Sequence, residues 1–148
     1  MKSKATLVAL AAGALFALPA VAQNTADVVQ RDVNQQQRIE NGLKSGQLSA
    51  KEAAKLEKGE ANVDKMEQRA LSDGKMTNAE KQRIEAAQNR ESQAIERAKN
   101  NGVTGDPNSA SSQRMQADVQ RNVNQEKRIE QGVKSGQLTN REVGSLEH

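Results

Sequence analysis

Residues 29 to 58, VQRDVNQQQRIENGLKSGQLSAKEAAKLEK, recur at 119 to 148 as VQRNVNQEKRIEQGVKSGQLTNREVGSLEH, with eighteen of thirty positions identical. A repeat of this length defines the building unit before any single residue is interpreted. Val29, Val33, Ile39 and Leu43 fall within about a third of a helical wheel, the mark of an amphipathic helix. Lys44-Ser45-Gly46 closes it, because glycine readily takes the left-handed conformation that ends a helix. Ser49 followed by Glu52 then forms a capping box, in which each side chain satisfies a backbone donor at the start of the next helix. The unit is therefore helix, tight turn, helix start, and its second copy runs to His148, the last residue of the sequence.

The same punctuation occurs three times. Gly74, Met76, Thr77 and Glu80 repeat the spacing of Gly46, Leu48, Ser49 and Glu52, as do Gly136, Leu138, Thr139 and Glu142. Ala53, Leu56, Val63, Met66 and Ala70 form the stripe of a second helix ending near residue 71. Ile84, Ala87, Ala94, Ile95 and Ala98 form that of a third, which fades at Asn100-Asn101-Gly102. Residues 101–113, NGVTGDPNSASSQ, read as a flexible linker. Met115, Val119, Ile129 and Val133 mark a fourth helix, and a short fifth begins near Asn140. No segment alternates apolar and polar residues, so no substantial sheet is expected. The expected fold is all-α, an antiparallel three-helix bundle-like unit at 23–100 followed by a partial second repeat at 114–148. Residues 50–71 are either one helix or broken at Gly59.

Composition places this fold outside the cytoplasm. Lys2 and Lys4 precede an apolar run from Ala5 to Leu18, then Pro19 and Ala20-Val21-Ala22. This is the pattern of a secretory signal peptide at 1–22, cut after Ala22. The apolar run is shorter than the roughly 20 residues that a stable membrane anchor needs. The expected protein is periplasmic or secreted, without stable membrane insertion. Removing Lys2 and Lys4 leaves 20 basic against 19 acidic residues, so no concentrated basic face argues for nucleic acid. Phe16 is the only aromatic residue and lies in the signal, leaving no ring to stack on a base, sugar or flat cofactor. There is no cysteine to form a disulfide. From Gln23 onward, nineteen Val, Ile and Leu residues in 126 make a thin core. A marginally stable helical protein of this kind is expected to gain from self-association.

The turns are the one candidate for metal chemistry. An EF-hand calcium loop places oxygen ligands at positions 1, 3, 5 and 12, with glycine at 6 and an apolar residue at 8. With Gly74 at position 6, Asp73 is position 5, Met76 position 8 and Glu80 position 12. Positions 1 and 3 depart from the pattern: they are Arg69 and Leu71 here, Asn41 and Leu43 in the first turn, Gln131 and Val133 in the last. Asp73 and Glu80 remain weak candidates for calcium or another divalent cation, and helix capping accounts for the repeated residues without a metal. His148 is the only histidine and ends the sequence; Met66, Met76 and Met115 sit at core spacing. No nucleophile–base–acid set or phosphate loop is present, so no catalytic residue and no cofactor is expected. Paired carboxylates occur throughout, as in any helix of this charge density, and discriminate nothing, and Asn34-Gln35-Gln36-Gln37 reads as a solvated face.

GLKSGQLSAKEAAKLE and DGKMTNAEKQRIEAAQN resemble small exported proteobacterial helical proteins that share G-V-x-S-G-x-L-T-x-x-E and D-G-x-x-T-x-x-E turns. The resemblance covers residues 27–100 and 117–148 and implies export and a helical repeat, with no established activity. A distant EF-hand likeness rests on the glycine, apolar and glutamate positions alone. The expected function is a non-enzymatic binding or structural role through apolar helix faces, by association with a protein partner or with itself. The alternative is low-affinity divalent-cation binding or sensing. The incomplete second copy raises the question of what covers its helix: its own chain, or the equivalent helix site of a neighbour.

Overall fold

The computed structural model describes residues 20–147; the apolar run at 5–18 and His148 lie outside the described residues. Five helices follow in order: α1 (Ala20–Ser45), α2 (Ala50–Leu71), α3 (Asn78–Lys99), α4 (Ala110–Lys134) and α5 (Asn140–Leu146). They pack as an all-α bundle, and no strand occurs among the described residues. None of these helices is long and apolar enough to cross a membrane.

All three repeated turns fold by the same local rules. Gly46, Gly74 and Gly136 have φ of 75°, 84° and 71°, the left-handed region that side-chain-bearing residues avoid. Ser49, Thr77 and Thr139 each cap the next helix, and Glu52, Glu80 and Glu142 complete the capping boxes. In the two copies of the repeat a second glycine matters as much. Leu48 donates its backbone N–H to Gly42 O at 2.9 Å, and Leu138 to Gly132 O at 3.0 Å. A Cβ at Gly42 or Gly132 would lie 2.6 or 2.5 Å from the Cδ1 of that leucine. The missing side chain lets the turn leucine fold back onto the helix it has just left.

Helix α2 is unbroken through Gly59. Its two flanking turns therefore stand at opposite ends of a helix roughly 33 Å long at 1.5 Å per residue. The linker is shorter than the 101–113 segment read from the sequence. Helix α4 already starts at Ala110, because Ser109 caps it by accepting from Ser112 N. Gly105 N donates to Gly46 O at 2.8 Å, pinning the connection to the first turn.

Helix α4 packs on α1 of its own chain, and this contact is nearly symmetric. Lys44 reaches Gln120 at 3.4 Å, and Lys134 reaches Gln30 at 2.7 Å. Residues 30 and 120 correspond in the repeat, as do 44 and 134, so the two copies pair antiparallel about a local twofold. Helix α3 runs parallel to α1, held by Arg31 to Asn89 and Arg38 to Ser92. Helix α5 packs on α2, with Gly144 close against Leu71 and Gln68.

The interior is two apolar clusters. One joins Val28, Val29, Val63, Leu71, Ile84, Ile129 and Val143; the other joins Ile39, Leu43, Leu48, Leu56, Ile95, Val119 and Val123. Each cluster takes one half of every long helix. What lies between them, midway along the bundle, is polar.

Candidate functional site: a buried carboxylate belt

Asp73 sits in the turn between α2 and α3 and Glu80 in the first turn of α3, both as local hydrogen-bond acceptors. Asp73 Oδ1 accepts from Lys75 N at 2.8 Å. Glu80 Oε2 accepts from Thr77 N at 2.9 Å and from Thr77 Oγ1 at 2.6 Å. Those bonds hold the Glu80 carboxyl below its ordinary pKa. At EF-hand position 3, Leu43, Leu71 and Val133 are buried in the core. Among the described residues no group of three or more His, Cys, Asp or Glu converges as a metal site.

The bundle's middle holds a different set of residues. Asp32, Gln35 and Gln36 from α1, Glu60 and Glu67 from α2, Gln88 from α3 and Glu126 from α4 are all buried. Glu147, just after α5, joins them. The Asn34–Gln37 run is thus not a solvated face: Gln35 and Gln36 are only 4% and 5% exposed. Helical periodicity turns them inward, with Gln36 on the stripe that also carries Val29, Val33 and Leu43.

Few donors meet these acceptors. Gln88 Nε2 is the busiest, serving Val28 O at 3.1 Å, Asp32 Oδ1 at 2.7 Å and Glu67 Oε1 at 3.4 Å. Gln35 Nε2 donates to Gln88 O at 2.9 Å. Both carboxyl oxygens of Glu60 have no hydrogen-bond partner, nor do Asp32 Oδ2, Glu67 Oε2, Glu126 Oε2 and Glu147 Oε1. An ionised carboxylate left this way is costly, so the group holds its proton instead. Burial, then the facing acids Asp32 and Glu91, push Glu60 up to about 10. Burial, then Glu126, pushes Glu147 up to about 10. Burial, then Asp64, raises Glu126 to about 8. Burial, then Glu57, raises Asp64 to about 7. Asp32 and Glu67 are pushed well up, chiefly by burial.

On one side the belt opens into a cavity of about 160 Å³ between α1, α2 and α4. Gln36, Glu57, Ala61, Asp64, Asn122, Gln125 and Glu126 line it. Ala61 and Asn122 are exposed and form its mouth, while Gln36 and Glu126 are buried and form its floor. Asn122 Nδ2 donates to Glu57 Oε2 at 2.7 Å, and Gln36 Nε2 approaches the same atom at 3.5 Å. Gln36 Oε1, Glu57 Oε1 and Glu126 Oε2 remain without a donor. The cavity carries three carboxyls and no lysine or arginine. Chemically it is an acidic basin, with the amides of Gln36, Asn122 and Gln125 beside its carboxyls.

This belt is legible in the helical stripes once their gaps are noticed. In α2, positions 53, 56, 60, 63, 67 and 70 follow a regular three–four spacing, and Glu60 and Glu67 occupy two core places in it. Glu126 falls between Val123 and Ile129 in α4 in the same way. No protein-family model, curated protein or solved structure matches this chain.

Proposed function

We propose that the protein is an exported, non-enzymatic binding protein that holds a cationic ligand in the carboxylate-lined cavity between α1, α2 and α4. The observation that carries this reading is the buried floor of an acidic cavity without lysine or arginine, where Gln36 Oε1 and Glu126 Oε2 have no partner. A positive ligand supplies the missing charge and donors together. The cavity supports cation binding better than the Asp73–Glu80 turn does, because the turn's carboxylates are already engaged by backbone and hydroxyl donors.

Ligand binding to the native state raises stability by RT ln(1 + [L]/Kd). The test is a thermal unfolding series at constant ionic strength against a panel of inorganic and organic cations. A saturable rise in Tm is expected, lost in Asp64→Asn and retained in Asp73→Ala and Glu80→Ala. No rise with any cation, or a rise abolished by the turn variants instead, overturns the assignment to the cavity.

A second reading rests on the local twofold between α1 and α4. The same antiparallel contact forms equally well between α1 of one chain and α4 of another, giving an exchanged dimer. Association of this kind uses the surface already described rather than a free apolar face, since Val103 and Leu146 are the large hydrophobic residues left exposed among the described residues. Sedimentation across a wide concentration range decides it: a monomer throughout rejects the exchange.

A further inference from the structure

The shape of the acceptor set selects among cations. We propose that the cavity ligand is an alkyl diammonium or polyammonium ion rather than a single metal ion, an inference that rests on the cation-binding reading above. Glu57 and Asp64 are seven residues apart on α2, on the same side of the helix and roughly 10 Å apart along its axis at 1.5 Å per residue. Ala61 lies between them and lines the same wall. The wall therefore reads carboxyl, methyl, carboxyl, the complement of an ammonium–methylene–ammonium chain.

A single metal ion requires convergence that is absent among the described residues, where no three acidic groups come together as a ligand set. Calcium in particular takes six to eight oxygens at 2.3–2.6 Å. Ammonium groups ask for less: each donates up to three hydrogen bonds to acceptors at ordinary distance. The unpartnered acceptors suit that demand. Gln36, 5% exposed, lines the cavity floor with its Oε1 unpartnered, while its Nε2 approaches Glu57 Oε2 at 3.5 Å. Glu126 Oε2 lies on the same floor, across from α2. Asn122 and Gln125 supply further amide oxygens at the sides, and the mouth at Ala61 and Asn122 gives access without opening the bundle. The volume of about 160 Å³ exceeds what a bare ion fills.

Binding of a dication ionises the carboxyls it meets. The burial-raised Asp64 and Glu126 release protons on binding, so affinity rises with pH until both are ionised.

The test is calorimetric titration of the full exported chain with 1,4-diaminobutane, spermidine, 1-aminobutane, calcium and magnesium at fixed ionic strength. The wild-type chain alone decides between the outcomes. A saturable heat with the diamine or triamine, roughly tenfold tighter than with the monoamine, is expected, since a hydrogen bond to a charged group is worth about that factor. The heat is expected to vary with buffer ionisation enthalpy, because protons are released. Glu57→Gln and Asp64→Asn, checked for an unchanged helical circular-dichroism spectrum, each weaken the diamine toward the monoamine level, while Glu80→Gln leaves it unchanged. Equal affinity for monoamine and diamine overturns the proposal. Tighter binding of calcium or magnesium than of either polyamine overturns it while leaving the cation-binding reading intact. No heat with any cation overturns both.

Discussion

Two kinds of glycine do different work in this chain, and a single methyl group separates them. Gly42 and Gly132 are helical and leave room for Leu48 and Leu138, whereas Gly46, Gly74 and Gly136 are needed for their backbone conformation. Gly42→Ala drives a Cβ into a fully buried leucine. Overpacking of this sort typically costs about 1–3 kcal/mol. Gly74→Ala meets no neighbouring atom within 4 Å and suffers only the left-handed backbone strain, about 1–2 kcal/mol. Chemical denaturation of the two variants separates these mechanisms. Adding Leu48→Ala to Gly42→Ala relieves the clash, so the double variant is expected to lose less than the sum of the two single changes. No companion change near Gly74 rescues its variant. Strict additivity at positions 42 and 48 overturns the account of Gly42.

At the scale of helices and turns, the three capping boxes are chemically equivalent and energetically unequal. Loss of a Ser or Thr cap typically costs about 1 kcal/mol. Ser49→Ala and Thr77→Ala act on helices of 22 residues each, so their cost falls on the global transition. Thr139→Ala acts on seven-residue α5, so local fraying absorbs it. Hydrogen exchange is expected to show faster exchange confined to α5 in Thr139→Ala, with the global midpoint moving less than for Thr77→Ala. An equal shift of all three midpoints would show that α5 unfolds only with the whole bundle. These turns are the most legible part of the sequence, because glycine, hydroxyl and glutamate at fixed spacing encode local geometry. The helices are readable from the same kind of signal, including the stripe of Val29, Val33, Ile39 and Leu43, all buried in the fold. The belt is harder to read, because its members are residues that usually face water. Glu60 and Gln36 look like surface by residue type, and only the three–four spacing of the apolar residues around them marks their places as core. The start of α4 is obscured for a smaller reason: Ser109 resembles the linker around it, and its role as a cap depends on the helix it begins.

For the whole molecule, the belt couples folding to protons. Unfolded Glu and Asp titrate near 4.5 and 3.8, whereas in the fold Asp64 titrates at about 7, Glu126 at about 8, and Glu60 and Glu147 at about 10. Between those limits the folded chain holds more protons than the unfolded one, so rising pH favours unfolding. The stability these groups confer is fully present below about pH 4 and is lost as pH climbs through the folded values. Each extra proton held by the fold steepens the loss by about 1.4 kcal/mol per pH unit. The cap carboxyls act oppositely. Hydrogen bonds from Thr77 and Thr139 lower Glu80 and Glu142, and their contribution disappears as the solution becomes more acidic than the ordinary glutamate range. The stability maximum is therefore expected at about pH 4, at the unfolded carboxyl values, where the lowered cap carboxyls ionise in the fold and the belt's loss has barely begun. Urea titrations across the pH range check this. Replacing Glu60 with leucine removes two unpartnered oxygens and one of the highest-titrating groups. It is expected to leave stability at about pH 4 little changed, because there the acid is neutral in both the folded and the unfolded chain and differs little from an apolar side chain of similar size. Above neutrality it is expected to stabilise progressively, flattening the decline. A wild-type curve that rises from pH 5 to pH 9, or a Glu60→Leu curve parallel to it, would show that the belt is ionised in the fold.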